Sequence, residues 1–358
     1  MKISPARAAA FHILSKVLGG GYASDLLRAD TEAMDARDAA LAESIVFGCL
    51  RYQSQLDFLI ARYSGRPHLK LDDEVRVALR IGMFQARYLD RVPAHAAVME
   101  SVELVKFARK RSAAGFVNAV LRKVSREPVQ WPDRATEYSV PAWMLERWER
   151  RYGVAAAEGI AKTALHEPGR HVNEETGREQ DVGAQSIVPL LAIEPGMRVL
   201  DLCAAPGNKT LQILAAGGKV VACDRYPRRL AQVPAAAFRV VLDATQPLPF
   251  SRHFDRILVD APCSGTGTLA RNPEIKWRLK PEDLAPFQER QSRILTNALK
   301  CLAPGGRLLY ATCSLEPEEN ETVVAGFDVQ GIHLRLPGRE EGDGFFAAVI
   351  AAPVARNS

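Results

Sequence analysis

No C-x-x-C pair occurs among the six cysteines, Cys49, Cys203, Cys223, Cys263, Cys301 and Cys313. Their scatter excludes the usual zinc spacing and gives no disulfide framework. Reduced thiols in a cytoplasm are the simplest reading, with no metal expected. No apolar run reaches the roughly 18 residues of a membrane span. The amino terminus, Met1-Lys2-Ile3-Ser4-Pro5, has no signal-peptide stretch, so no membrane partner is expected. G-x-G-x-x-G is missing, as are internal repeats and low-complexity tracts. Excess charge is small, at +5. What remains is ordinary for a globular protein: 47% hydrophobic and 25% charged residues in a chain of 358, room for two or three domains. A monomer is expected.

The charge is uneven. Residues 1–130 hold 20 Lys and Arg against 14 Asp and Glu, with a cluster at Lys106, Arg109, Lys110, Arg111, Arg122, Lys123 and Arg126. Such a cluster on helices suits phosphate contacts, and a solvated helix face fits it equally well. Residues 5–126 read as helices throughout. Pro5 opens one, Asp35–Leu50 carries apolar residues at helical spacing, and Asp72-Asp73-Glu74 is an acidic helix start. Further helices are predicted over Ala96–Arg109 and Ala113–Val124. Domain limits follow: a helical bundle over 1–128, a connecting region over 129–184 with a short helix at Trp143–Arg151, and an α/β domain over 185–354.

In that last domain strands and helices alternate. Strands are predicted at Arg198–Leu202, Lys219–Ala222, Arg239–Leu242, Arg256–Val259 and Arg307–Tyr310, with a helix over Pro281–Leu302. This is the pattern of a parallel, doubly wound sheet. Two of the strands run into Asp260-Ala-Pro-Cys263-Ser-Gly and Ala311-Thr-Cys313-Ser, cysteines fifty residues apart. Both thiols are therefore expected at the carboxyl ends of strands, where open α/β sheets collect ligands. They suit covalent chemistry on an electrophilic carbon.

The first strand ends in a small-residue turn and a helix start, Cys203-Ala204-Ala205-Pro206-Gly207-Asn208-Lys209. Backbone can approach a ligand closely there, and the helix amino terminus adds N–H groups. Asp224 follows the second strand, 23 residues after Asp201, and suits two ribose hydroxyls; Asp243 follows the third and suits an adenine amino group. The spacing also fits a dinucleotide enzyme. Without G-x-G-x-x-G, S-adenosylmethionine is the better fit. Lys209 is an unfavourable charge at a helix start and implies a partner such as Asp260. Trp277, Phe345 and Phe346 read as core. Arg271 and Lys276 are candidate phosphate contacts.

D-L-C-A-A-P-G-N-K-T (201–210), D-A-P-C-S-G-T-G (260–267), N-P-E-I-K-W (272–277), Y-A-T-C-S (310–314) followed by P-E-E-N-E, and D-G-F-F (343–346) occur in that order. Together they resemble the RNA cytosine-5 methyltransferases of the Sun/Nop2 family. L-R-I-G-M-F-Q (79–85), V-P-A-H-A-A-V (92–98) and G-F-V-N-A-V-L-R-K (115–123) are similar to the NusB-like domain fused to its RsmB branch. The resemblance implies a NusB-like bundle before a Rossmann-like methyltransferase domain, acting on small-subunit (16S) ribosomal RNA. It implies Cys313 as the nucleophile that adds to the base, Cys263 as a participant in release, and Asp260 as the group that orients the cytosine. Departures are also visible. Asn208 stands where the family has a second Gly, and its tolerance of positive φ is expected to keep the turn. His171-Val-Asn runs within a few residues into Gln180-Asp181, where the family carries a compact RNA-contacting subdomain most of which this sequence lacks. The stretch from Asp224 to Asp243 is short and holds Pro234, which curtails a crossover helix. These gaps motivate a second reading, an RNA-binding assembly factor that no longer turns over.

Overall fold

The computed structural model describes residues 3–66, 70–251 and 253–352. The outermost residues of the expected domains, 1–2 and 353–354, lie outside them. The chain divides into two compact units, Met1–His166 with Ala270–Arg278, and Glu167–Leu269 with Leu279–Ser358.

The first unit is helical: α1 (Pro5–Leu18), α2 (Ala23–Thr31), α3 (Ala36–Arg51), α4 (Gln53–Ser64), α5 (Asp73–Tyr88), α6 (Ala94–Phe107), α7 (Ala114–Leu121), α8 (Arg134–Glu137), α9 (Ala142–Tyr152) and α10 (Val154–Thr163). Local chemistry sets the starts. Pro5 occupies the first turn of α1, and the Asp35 carboxylate accepts from Arg37 N and Asp38 N at the head of α3. α5 is the buried centre, with Val75, Val77, Ala78, Leu79, Ile81, Met83 and Phe84 all in the core. The unit extends beyond residue 128 because α9 also buries an apolar face through Met144, Leu145 and Trp148. The connector expected over 129–184 is thus helical in its first half.

The second unit is built on β1 (Arg198–Asp201), β2 (Lys219–Asp224), β3 (Phe238–Val241), β4 (Phe254–Asp260), β5 (Leu302–Thr312), β6 (Val329–Arg335) and β7 (Phe345–Ala351). Its helices are α11 (Val182–Gln185), α12 (Asn208–Ala215), α13 (Pro227–Leu230), α15 (Leu284–Leu299) and α16 (Glu321–Val324), while α14 (Ile275–Arg278) belongs to the first unit. The strand order is β3-β2-β1-β4-β5-β7-β6. β1 to β5 are parallel, whereas β7 runs antiparallel to both β5 and β6. The parallel half matches the predicted strands; β6 and β7 are an addition that the alternating pattern did not announce. Phe345 and Phe346 are core, as expected. The predicted helix over Pro281–Leu302 stops at Leu299, because Leu302 opens β5. α13 has only four residues, the curtailed crossover that the short Asp224–Asp243 stretch implied.

Candidate active site

Strand order reverses between β1 and β4, the switch point where a crevice opens at the carboxyl ends of parallel strands. Register puts the chemistry there. Asp201 pairs with Leu258, and Asp260 with Ala311, so the turns after β1, β4 and β5 share one edge.

The turn after β1 is held by Leu202 N donating to Leu258 O (3.1 Å) and Ala204 N donating to Cys223 O (2.8 Å). Gly207 takes φ 105°, and a Cβ there would lie 2.8 Å from Pro234 Cδ and 2.9 Å from Val233 Cα. Only glycine fits both demands. Asn208 does not need positive φ, because it opens α12. Its amide instead donates to Glu179 O at 3.4 Å, within the shortened stretch before the domain. Lys209, one residue on, pairs with Asp260 Oδ2 at 2.6 Å, the partnership its placement implied. Its ammonium also lies 5.3 Å from the Phe345 ring centre. Burial works against this charge, yet the Asp260 carboxylate raises the lysine above its ordinary value. Asp201 is fully buried; burial first, and Asp260 nearby, push it up to about 7, against the Thr210 hydroxyl that donates to it at 2.7 Å.

Asp224 ends β2 as a buried carboxylate, accepting from Tyr226 N at 2.8 Å. Asp243 accepts from the hydroxyl and amide of Thr245 at 2.7 and 3.0 Å, and these bonds hold its carboxyl below the usual range. Arg225 approaches it at 3.6 Å. Two carboxylates at successive strand ends can accept the hydroxyls and amine of an adenosine group.

The two thiols meet. Cys263 Sγ and Cys313 Sγ are 3.4 Å apart and both half-buried. The bond to Cys313, then burial, pushes the Cys263 thiol well up. Cys203 is also pushed up, by desolvation and then by Asp201 and Asp260, which disfavours its thiolate. Cys49, Cys223 and Cys301 are buried, in keeping with their reading as small core residues. Gly267 keeps the turns close, since a Cβ there would lie 2.4 Å from Gly344 O and 2.9 Å from Cys313 O.

The expected phosphate contacts fare unevenly. Arg109 and Arg122 are exposed, Lys106 is exposed beside Glu103 (2.7 Å), and Lys110 is tied to Asp72 (2.7 Å) and Glu74 (3.7 Å). Arg271 is half-buried. Lys276 corrects the expectation. It is 1% exposed, and its ammonium donates to Arg51 O at 2.9 Å, turned away from any phosphate at the surface. Its neighbour Trp277 packs half-buried against the core and donates to Leu50 O at 2.7 Å. Glu319, fully buried behind the cysteines, was not singled out; within P-E-E-N-E nothing local distinguishes a buried carboxylate from an exposed one. Among the described residues no cluster suits a metal ion, and no helix is long and apolar enough to cross a membrane.

Residues 188–331 match the model of the 16S rRNA methyltransferase RsmB/F family, and residues 4–126 match the NusB family. The chain is 32% identical to ribosomal RNA small subunit methyltransferase B of Erwinia tasmaniensis over 424 positions, covering 97% of this chain and 98% of that protein. Its identity to the Klebsiella pneumoniae (strain 342) protein of the same name is 31%, covering 96% and 97%. The first alignment is longer than the 358-residue chain, so that relative carries residues without counterparts here. The fold also matches the crystal structure of PH0851, with TM-score 0.75 at 21% identity over 98% of this chain and 99% of that one. A methyltransferase homolog protein from Pyrococcus horikoshii matches 62% of this chain and 99% of its own, with TM-score 0.51 at 23% identity. With near-complete coverage at this identity, and with both halves matched by their own models, the chain belongs to the RsmB/F family of 16S rRNA methyltransferases.

Proposed function

We propose that this protein methylates carbon 5 of a cytosine in small-subunit ribosomal RNA, using S-adenosylmethionine and a covalent bond between Cys313 and the base. The contact between the two thiols supports this reading most directly. Transfer to an amino nitrogen needs no thiol, and a factor that only binds RNA needs none either.

Asp224 would hold the ribose hydroxyls, Asp243 the adenine amine, and the 203–209 turn the remainder of the cofactor. That cofactor supplies a methyl group on a sulfonium. The residues of the chain make the cytosine able to take it. Carbon 5 is a poor nucleophile until a thiolate adds to carbon 6, which makes the ring enamine-like. Cys313 provides the thiolate, and the Cys263 S–H can donate to its sulfur. Asp260 Oδ2 is occupied by Lys209, while Oδ1 carries no hydrogen bond among the described residues and can meet the ring nitrogen. A proton held between that oxygen and the ring nitrogen neutralises the negative charge that addition would otherwise build on the ring. Removal of the proton on carbon 5 restores the ring double bond and expels Cys313 as a thiolate; the step is assigned to Cys263, which takes that proton as a thiolate once its own S–H proton has passed to solvent. The target must be single-stranded or unstacked to reach this edge.

Mapping of 5-methylcytosine in small-subunit RNA from cells with and without the gene tests the reading. One site should disappear on deletion, return with the wild-type gene, and stay absent with Cys313→Ala. Restoration by Cys313→Ala would refute the covalent route.

A further inference from the structure

The parallel ladder joining β4 and β5 ends before the cysteines. Its last rung is Ala261 N donating to Ala311 O at 2.8 Å, and both Cys263 and Cys313 lie beyond it. Apart from Gly267 N donating to Cys313 O at 2.8 Å, side chains join the two turns.

Some of those bonds are direct, from Ser264 Oγ to Ser314 Oγ at 3.1 Å, Thr266 Oγ1 to Ser314 Oγ at 3.4 Å and Leu315 N to Thr266 Oγ1 at 2.8 Å; the others converge on Glu319, which is 0% exposed. Oε2 accepts from Ser264 N at 2.8 Å and from Gln291 Nε2 at 2.9 Å. Oε1 accepts from the hydroxyls of Ser264 and, at 2.6 Å, Ser314. Ser264 follows Cys263 and Ser314 follows Cys313, so one carboxylate grips the residue next to each thiol. The grip is itself fixed: Tyr310 Oη donates to Glu319 O at 2.6 Å, Thr312 Oγ1 donates to Asn320 Oδ1 at 2.5 Å, and Asn320 Nδ2 donates to Ser314 O at 2.8 Å. Among the described residues no Lys or Arg pairs with Glu319. Burying an unpaired carboxylate is unfavourable unless donors surround it. Here the donors come from both cysteine turns and from α15.

We infer that Glu319 is a positioning residue that sets the separation of the Cys263 and Cys313 sulfurs, keeping the releasing thiol within reach of the adding one. The roles of the two thiols rest on the function proposed above; the clamp itself does not.

Four forms of the full-length protein test it: wild type, Glu319→Ala, Glu319→Gln, and the double variant Ser264→Ala/Ser314→Ala. Glutamine can repeat the grip, its oxygen accepting from Ser264 N and Gln291 and its amide donating to hydroxyls free to rotate. The first readout is the rate at which a bifunctional thiol reagent bridges Cys263 and Cys313, located by peptide mapping. Wild type and Glu319→Gln should bridge at similar rates, and the alanine variants about tenfold more slowly. The second is turnover on small-subunit RNA. Glu319→Gln should keep kcat within about fivefold. Glu319→Ala should lower it about 100-fold with KM little changed, as for a misplaced reacting group. If Glu319→Ala does not fold, the double serine variant, which retains the glutamate, decides. Bridging at the wild-type rate in the alanine variants, or a kcat for Glu319→Ala equal to that of Glu319→Gln, overturns the inference. A wild type that bridges readily yet makes no 5-methylcytosine refutes the proposed function and leaves the clamp standing.

Discussion

Lys276 gives the sharpest test of the energetics, because its burial reverses the usual effect of a lysine on stability. Burial, with the Arg51 guanidinium nearby, lowers it from its ordinary 10.5 to about 7. Between those values the unfolded chain binds a proton that the folded chain does not, so stability rises with pH across that window. Below pH 7 both states are charged and the penalty is complete. At 1.36 kcal/mol per unit it amounts to about 5 kcal/mol, falling below about 1 kcal/mol by pH 10. Lys276→Met removes this penalty and leaves Arg51 O without its 2.9 Å donor, a loss of about 1 kcal/mol. The variant should therefore be more stable than wild type at pH 7, by about 3–4 kcal/mol, and no more stable at pH 10. All four tryptophans, Trp131, Trp143, Trp148 and Trp277, lie in the helical unit, so urea unfolding followed by tryptophan fluorescence reports on the right part of the chain. Parallel pH profiles for variant and wild type would refute the reasoning, since the ammonium would then not be desolvated.

Three more predictions concern the proposed active site. Gly207→Ala meets both a φ of 105° and backbone 2.9 Å from its new methyl, so it should weaken S-adenosylmethionine binding at least about tenfold, read by calorimetry. Asp260→Asn leaves the Lys209 ammonium, 14% exposed, without its counter-charge; urea unfolding should show a loss of about 1–3 kcal/mol, less than for a fully buried pair. Cys263→Ala should trap the RNA–protein adduct, visible as a slow band on denaturing gels that Cys313→Ala removes.

Much of the fold was legible because it is written in local periodicity. The helical spacing of residues 5–126 and the strand-then-turn signals at Val199–Lys209, Ile257–Ser264 and Leu308–Ser314 each concern a few neighbouring residues. β6 and β7 escaped notice because Val329–Arg335 and Phe345–Ala351 lie after the alternation ends, and their pairing with β5 is antiparallel. Lys276 was misread for a related reason. A lysine between Ile275 and Trp277 looks like a charge on a short surface helix, and only its packing against Arg51 O makes it a buried donor.

By itself the sequence determined which residues could do chemistry: two cysteines and three carboxylates, each next to a strand end, and a glycine turn before a helix. Strand ends follow from hydrophobic pattern and turn formers, which act over a few residues. Tertiary structure alone decided which of these meet. It brought Cys263 to 3.4 Å from Cys313 and Lys209 to 2.6 Å from Asp260, and it turned Glu319 inward to grip both cysteine turns. Those distances depend on strand order and register, set by long-range pairing and burial that local pattern does not contain.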